Sequence, residues 1–112
     1  MDLNLVVLCG RLAAVPEMRE FDSGTRLLRF LVTVRSEEPR ARLDVVPVTL
    51  WDPDERVVGE PFEPGARVWV AGAVQRRFWE GAAGRRSMIE VVASQVTLRP
   101  AEQLQNARSG GG

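Results

Sequence analysis

Residues 67–96 constrain the chain more than any other stretch: two strand-like runs joined by Phe78-Trp79-Glu80-Gly81-Ala82-Ala83-Gly84. Long strand-forming runs on either side of a glycine-rich connection read as a hairpin. Its lower half, with Val68, Val70, Val91 and Val92, is apolar enough to belong to a core. Its upper half carries Arg76, Arg77, Arg85 and Arg86 around the aromatic pair Phe78 and Trp79. A core has no use for four guanidinium groups beside a tryptophan. A projecting finger of that composition suits a polyanion that carries flat bases.

The 112 residues are enough for one domain and not two. The formal net charge is zero, but charge is polarised along the chain. Residues 52–63 hold five acids (Asp52, Asp54, Glu55, Glu60, Glu63) against Arg56, a net of −4. Residues 67–86 hold five arginines against Glu80, a net of +4. All 15 basic residues are Arg; genomic base composition is the plainer reading of that, and guanidinium is also the cation that stacks on rings and forks onto phosphate. The single cysteine, Cys9, lies in an apolar run and is predicted to be a small buried hydrophobe, with no disulfide possible within one chain. No run reaches membrane-spanning length and no signal-peptide pattern opens the chain, so a cytoplasmic home is expected.

Residues 3–12 form a near-continuous apolar run that favours a buried strand, with Gly10 predicting a bulge or tight bend. A short edge piece at residues 18–21 leads into the turn Asp22-Ser23-Gly24-Thr25. Residues 26–35 then alternate, Leu28, Phe30, Val32 and Val34 on a core face and Arg29, Leu31, Thr33 and Arg35 on the other. Residues 43–51 make the third long strand, with Val46, Val48 and Leu50 on one side and Val45, Pro47, Thr49 and Trp51 on the other. Pro47 has no N–H for a ladder, which predicts a bulged or partly unpaired middle. Asp52-Pro53 reads as a helix N-cap with proline at the first helical position, and Pro61 and Pro64 keep that helix short.

These elements predict an all-β fold: a five-stranded OB-fold barrel over residues 1–99, with a short helical insert between the third and fourth strands and a protruding hairpin between the fourth and fifth. Residues 100–112 are predicted to be a flexible C-terminal segment.

At this point the chain resembles the bacterial single-stranded DNA-binding proteins, the SSB family. The resemblance rests on Asn4-Leu5-Val6-Val7-Leu8-Cys9-Gly10-Arg11-Leu12, on Pro16-Glu17-Met18-Arg19 and Ser23-Gly24, and on Pro64-Gly65-Ala66-Arg67-Val68-Trp69-Val70-Ala71-Gly72 running through Arg77-Phe78-Trp79 to Glu90-Val91-Val92-Ala93. It implies an OB-fold, usually a homotetramer, that covers single-stranded DNA in replication, repair and recombination. By position, Trp51 and Trp79 match aromatics on which bases stack, and Arg77 matches a basic residue on the DNA backbone. Trp69 matches an aromatic nearer the subunit contacts and is assigned to the oligomer interface. Two family aromatics are replaced, by Val45 early in the third strand and by Glu37-Glu38-Pro39 in the loop before it. The family's tail with an acidic, Phe-ending tip is not found in these residues, so partner recruitment through such a tip is not expected of them.

The expected DNA-binding set is therefore Trp51 and Trp79 for stacking, with Arg29, Arg35, Arg76, Arg77, Arg85 and Arg86 on phosphates. The competing readings are a core or interface role for Trp51, a hairpin aromatic pinned on the barrel for Trp79, and a solvated face for Arg29 and Arg35. Neither stacking nor phosphate contact reads base identity, so weak sequence preference follows. Histidine, lysine and tyrosine are absent, which removes the commonest general base and the lysine of a phosphate-cradling loop. The acids Asp52, Asp54 and Glu55 suit the first turn of a helix without a metal, and no catalytic residue, metal or cofactor is predicted. The function expected is non-catalytic, sequence-independent binding of single-stranded DNA by a homo-oligomer of four subunits. The alternative is an accessory OB-fold adaptor, similar to primosomal proteins, acting mainly through protein contacts.

Overall fold

A computed structural model describes residues 1–59 and 62–99 of the chain. The C-terminal segment predicted to be flexible lies outside the described residues. The elements are β1 (Val6–Leu12), β2 (Glu17–Glu20), β3 (Arg26–Ser36), β4 (Arg42–Trp51), α1 (Glu55–Val58), β5 (Arg67–Gly81) and β6 (Gly84–Arg99). One sheet runs in the order β1-β5-β6-β4-β3-β2, and β1 also pairs with β3. That extra pairing, Arg11 with Thr33 and Leu12 with Val32, closes the five long strands into a barrel. The predicted five-stranded architecture is the one observed, and β2 is an added edge strand on β3. All pairings are antiparallel except β4 with β6, which meet in parallel at Val48–Val91 and Thr49–Val92. Among the described residues no helix is long and apolar enough to cross a membrane.

The two-residue period of the strands builds the core. Leu28, Phe30 and Val32 of β3 turn inward against Val48 and Leu50 of β4, Val68 and Val70 of β5, and Val91, Val96 and Leu98 of β6. Each such side chain contributes about 1.5–3 kcal/mol through its removal from water. β1 differs from its prediction. Only Gly10 and Leu12 are buried, Val7 faces outward, and Leu3 and Leu5 precede the strand and stand exposed. Cys9, predicted buried, is half-buried on the outer face, with Arg67 Nη1 3.5 Å from its sulfur.

Two glycines shape the barrel. A Cβ on Gly10 would run into the Thr33 carbonyl and lie 2.9 Å from Val32 Cγ1, so β1 can cross β3 closely enough to close the sheet only without one. At Gly72 the β5–β6 register slips: Ala71 faces Gln95, and Gly72 faces Ala93. Ser94 is the extra residue of this bulge, and its hydroxyl donates to the Ala71 carbonyl at 3.2 Å. A bulge bends and twists the strand that carries it, here where the finger leaves the barrel.

Two local expectations need adjusting. Pro47 causes no bulge in the β3–β4 ladder, whose register is continuous from Leu27–Trp51 to Ser36–Arg42. The partly unpaired middle is found instead on the other edge of β4, where pairing is confined to Val48 and Thr49 and Pro47 has no partner. The helix cap is Asp54, not Asp52: the Asp54 carboxylate accepts from the Val57 N–H at 2.9 Å. Asp52 instead ends β4 with φ 45°, and its carboxylate accepts from the Arg26 N–H at 3.0 Å.

Candidate nucleic-acid interface

Antiparallel pairing puts cross-strand partners on the same face of a sheet. On the outward face of β3–β4 the rows are Leu27–Trp51, Arg29–Thr49, Leu31–Pro47, Thr33–Val45 and Arg35–Leu43. Trp51 is 48% exposed at one end of this face. Its ring stacks on Phe21, with centroids 6.0 Å apart and planes at 25°. The Arg19 guanidinium lies 5.5 Å from the Phe21 ring centre and extends the stack. Sequence reasoning missed Phe21 and Arg19. Their signal is the β2 register, which sets Arg19 opposite Leu27 and so in line with Trp51.

Beside the Arg29–Thr49 row lies an open cavity of about 300 Å³. Arg29, Pro47 and Thr49 reach it from the barrel, and Arg77, Met88 and Glu90 reach it from the base of the finger. Glu90 is only 6% exposed and accepts a 2.9 Å hydrogen bond from the buried Thr49 hydroxyl. Arg77 Nε stands 3.7 Å from the same carboxylate oxygen, close enough for an ion pair but too long for a hydrogen bond. The Nε atoms of Arg29 and Arg77 are both buried and both lack a hydrogen-bond partner among the described residues. Two cationic side chains thus meet at one concavity, each with an Nε donor free to hydrogen-bond an anionic group placed there.

The finger has two faces. Arg77–Met88 and Trp79–Arg86 share the face that leads into this cavity, while Arg76–Ile89, Phe78–Ser87 and Glu80–Arg85 share the opposite one. Trp79 is 37% exposed, with the Arg77 guanidinium 5.0 Å from its ring centre. The cluster of four arginines expected around the aromatic pair is therefore divided by strand alternation into Arg77 with Arg86 and Arg76 with Arg85. Arg35 stands apart from both, bordering a separate cavity of about 650 Å³ with Arg11, Thr33 and Arg67.

Trp69 is 49% exposed on the outer face of β1–β5–β6, between Cys9 and Thr97. Val7, in the next row, extends an apolar patch distinct from the Trp51 face. Asp52, Asp54 and Glu55, the acids at the start of the helix, have structural partners. Asp52 binds the Arg26 N–H, Asp54 binds the Val57 N–H, and Glu55 pairs with the Arg26 guanidinium at 3.0 Å.

Known proteins resemble this chain in sequence and in fold. The model of the single-strand binding protein family matches residues 3–99. The single-stranded DNA-binding protein of Clostridium tetani is 30% identical over 114 residues, covering 97% of this chain and 79% of the relative. That of Caldanaerobacter subterraneus is 30% identical over 99 residues, covering 84% of this chain and 66% of the relative. A solved structure described as the Plasmodium falciparum SSB complex with ssDNA superposes with a TM-score of 0.74 at 18% identity, over 88% of this chain and 97% of that one. That likeness shows the shared OB-type barrel. With nearly the whole described chain matched in sequence and the barrel matched in shape, the chain belongs to the single-strand binding protein family.

Proposed function

We propose that this protein binds single-stranded DNA without reading its sequence, along the surface from Trp51 across β3–β4 to Trp79. The observation that carries this reading is the meeting of Arg29 and Arg77, 48 residues apart in sequence, at one cavity, each with a buried Nε that makes no hydrogen bond among the described residues. Bases stack on Trp51 and Trp79, each worth about 1–3 kcal/mol whatever the base. Arg29, Arg77 and Arg86 neutralise phosphates between and beside them, and Arg35 takes the strand at the far end of β3. Each phosphate contact adds affinity that falls with salt. Binding is non-catalytic and serves replication, repair and recombination in the bacterial cytoplasm. The apolar patch of Val7 and Trp69 supports self-association through that face, to the tetramer expected from the resemblance.

The test is titration with oligothymidylate, following tryptophan emission. Trp51→Ala and Trp79→Ala should each weaken binding by about 5-fold to 150-fold, the stacking energy expressed as an equilibrium constant. Unchanged affinity in both variants rejects the surface. An adaptor acting through protein contacts alone would leave the emission of the unmodified chain unaltered by oligonucleotide.

A further inference from the structure

We infer that the finger carries a second platform for single-stranded nucleic acid on its opposite face, centred on Phe78 and flanked by Arg76 and Arg85, so that one subunit holds two segments of strand. This rests on the reading of the chain as a single-stranded DNA binder and extends it to a surface turned away from the Trp51–Trp79 face.

The two faces repeat one chemistry. On the first, the Arg77 guanidinium lies 5.0 Å from the Trp79 ring centre; on the second, the Arg85 guanidinium lies 4.5 Å from that of Phe78. Phe78 is 52% exposed at the end of a ribbon that projects from the barrel, so no core claims its ring. Arg76 spends one donor on the Ser87 hydroxyl at 3.1 Å, on the same face. Among the described residues no carboxylate lies within ion-pair distance of Arg76 or Arg85. Even Glu80, the cross-strand partner of Arg85, does not pair with it. An accessible ring between two unneutralised guanidinium groups offers stacking to a base and charge to the phosphates on either side of it.

Geometry also separates the two platforms. Residues 78 and 79 are neighbours in one strand and point to opposite faces, so a strand lying along the Trp79 face cannot touch Phe78. The second segment is either the same strand folded round the Gly81–Gly84 turn or a separate strand. A long and a short oligonucleotide tell these apart.

The experiment titrates the protein at low salt with oligothymidylate of about eight nucleotides, within the span of one OB surface. Two binding phases are expected, the tighter one quenching Trp79. Phe78→Ala and Arg85→Ala should weaken the second phase at least about fivefold while leaving the first within twofold. In a Trp79→Phe chain, Phe78→Trp adds a reporter on the opposite side of the ribbon, and a quench absent from the Trp79→Phe chain alone should appear in the second phase. A single oligonucleotide per subunit at saturation, with the Phe78→Ala curve superimposed on the parent, overturns the second platform. So does a tryptophan at position 78 whose emission ignores DNA, which is the result a protein-docking face would give. Loss of the first phase in the parent chain is a different result and overturns the single-stranded DNA reading itself.

Discussion

The Thr49 hydroxyl donates to the Glu90 carboxylate at 2.9 Å, tying β4 to the root of the finger across the parallel β4–β6 contact. Both residues are buried, and the same carboxylate oxygen faces Arg77 Nε at 3.7 Å. Glu90 thereby holds Arg77 at the cavity it shares with Arg29.

Removing Glu90 should cost stability as well as placement. Glu90→Ala strands the Thr49 hydroxyl and leaves Arg77 without its anion, a loss of about 1–3 kcal/mol. Glu90→Gln keeps an acceptor for Thr49 and should lose less. Urea unfolding of the three chains, with midpoints compared at equal slope, measures the order.

Phe21 should matter to DNA binding although it was not foreseen. Stacked against Trp51, it fixes the angle of a ring that is otherwise half in solvent. Phe21→Ala should weaken oligothymidylate binding by roughly 2-fold to 10-fold, the range of an aromatic pair. It should add little to Trp51→Ala, because the two changes remove one stack. A double-mutant cycle on binding tests that coupling.

Salt dependence should register Arg29 and Arg77 individually. Each phosphate contact to single-stranded DNA contributes about 0.7 to the slope of log affinity against log salt. Arg29→Ala and Arg77→Ala should each flatten that slope by about this amount, whereas Arg40→Ala, in the loop before β4, should leave it unchanged. Titrations at a series of chloride concentrations give the slopes.

Trp69 should control assembly rather than DNA contact. Trp69→Ala removes the largest side chain of the outer patch on β1–β5–β6, and large aromatic anchors in subunit contacts cost about 2 kcal/mol or more when truncated. Light scattering should then show a smaller mass at equal concentration, while the quench per bound oligonucleotide is retained.

Gly10→Ala should weaken barrel closure. The added methyl meets the Thr33 carbonyl and Val32 at the β1–β3 crossing, and overpacking of this kind costs about 1–3 kcal/mol. Thermal unfolding should report the loss, with far-UV circular dichroism unchanged below the transition.

Strand character could be read from the chain because it is local. The alternation of residues 26–35 announced which side of β3 is core, and the structure buries Leu28, Phe30 and Val32 on that side. The same period implied that Arg76 and Arg77 face opposite ways, a point that grouping the finger by composition concealed. The helix cap shows where local reading stops. Asp52-Pro53 has the form of a cap, but the Asp52 carboxylate is taken by the Arg26 N–H, 26 residues away, and the role passes to Asp54.

By itself, then, the sequence determined the strands, their inward faces, the basic finger and the membership that its matched residues reveal. The tertiary structure alone decided that Phe21 supports Trp51, that Arg29 meets Arg77, and that Thr49 binds Glu90. The reason is geometric. A period of two follows from the geometry of one extended chain, whereas neighbours across a closed barrel depend on strand order, register and a bulge at Ala71–Gly72, which only the assembled sheet sets.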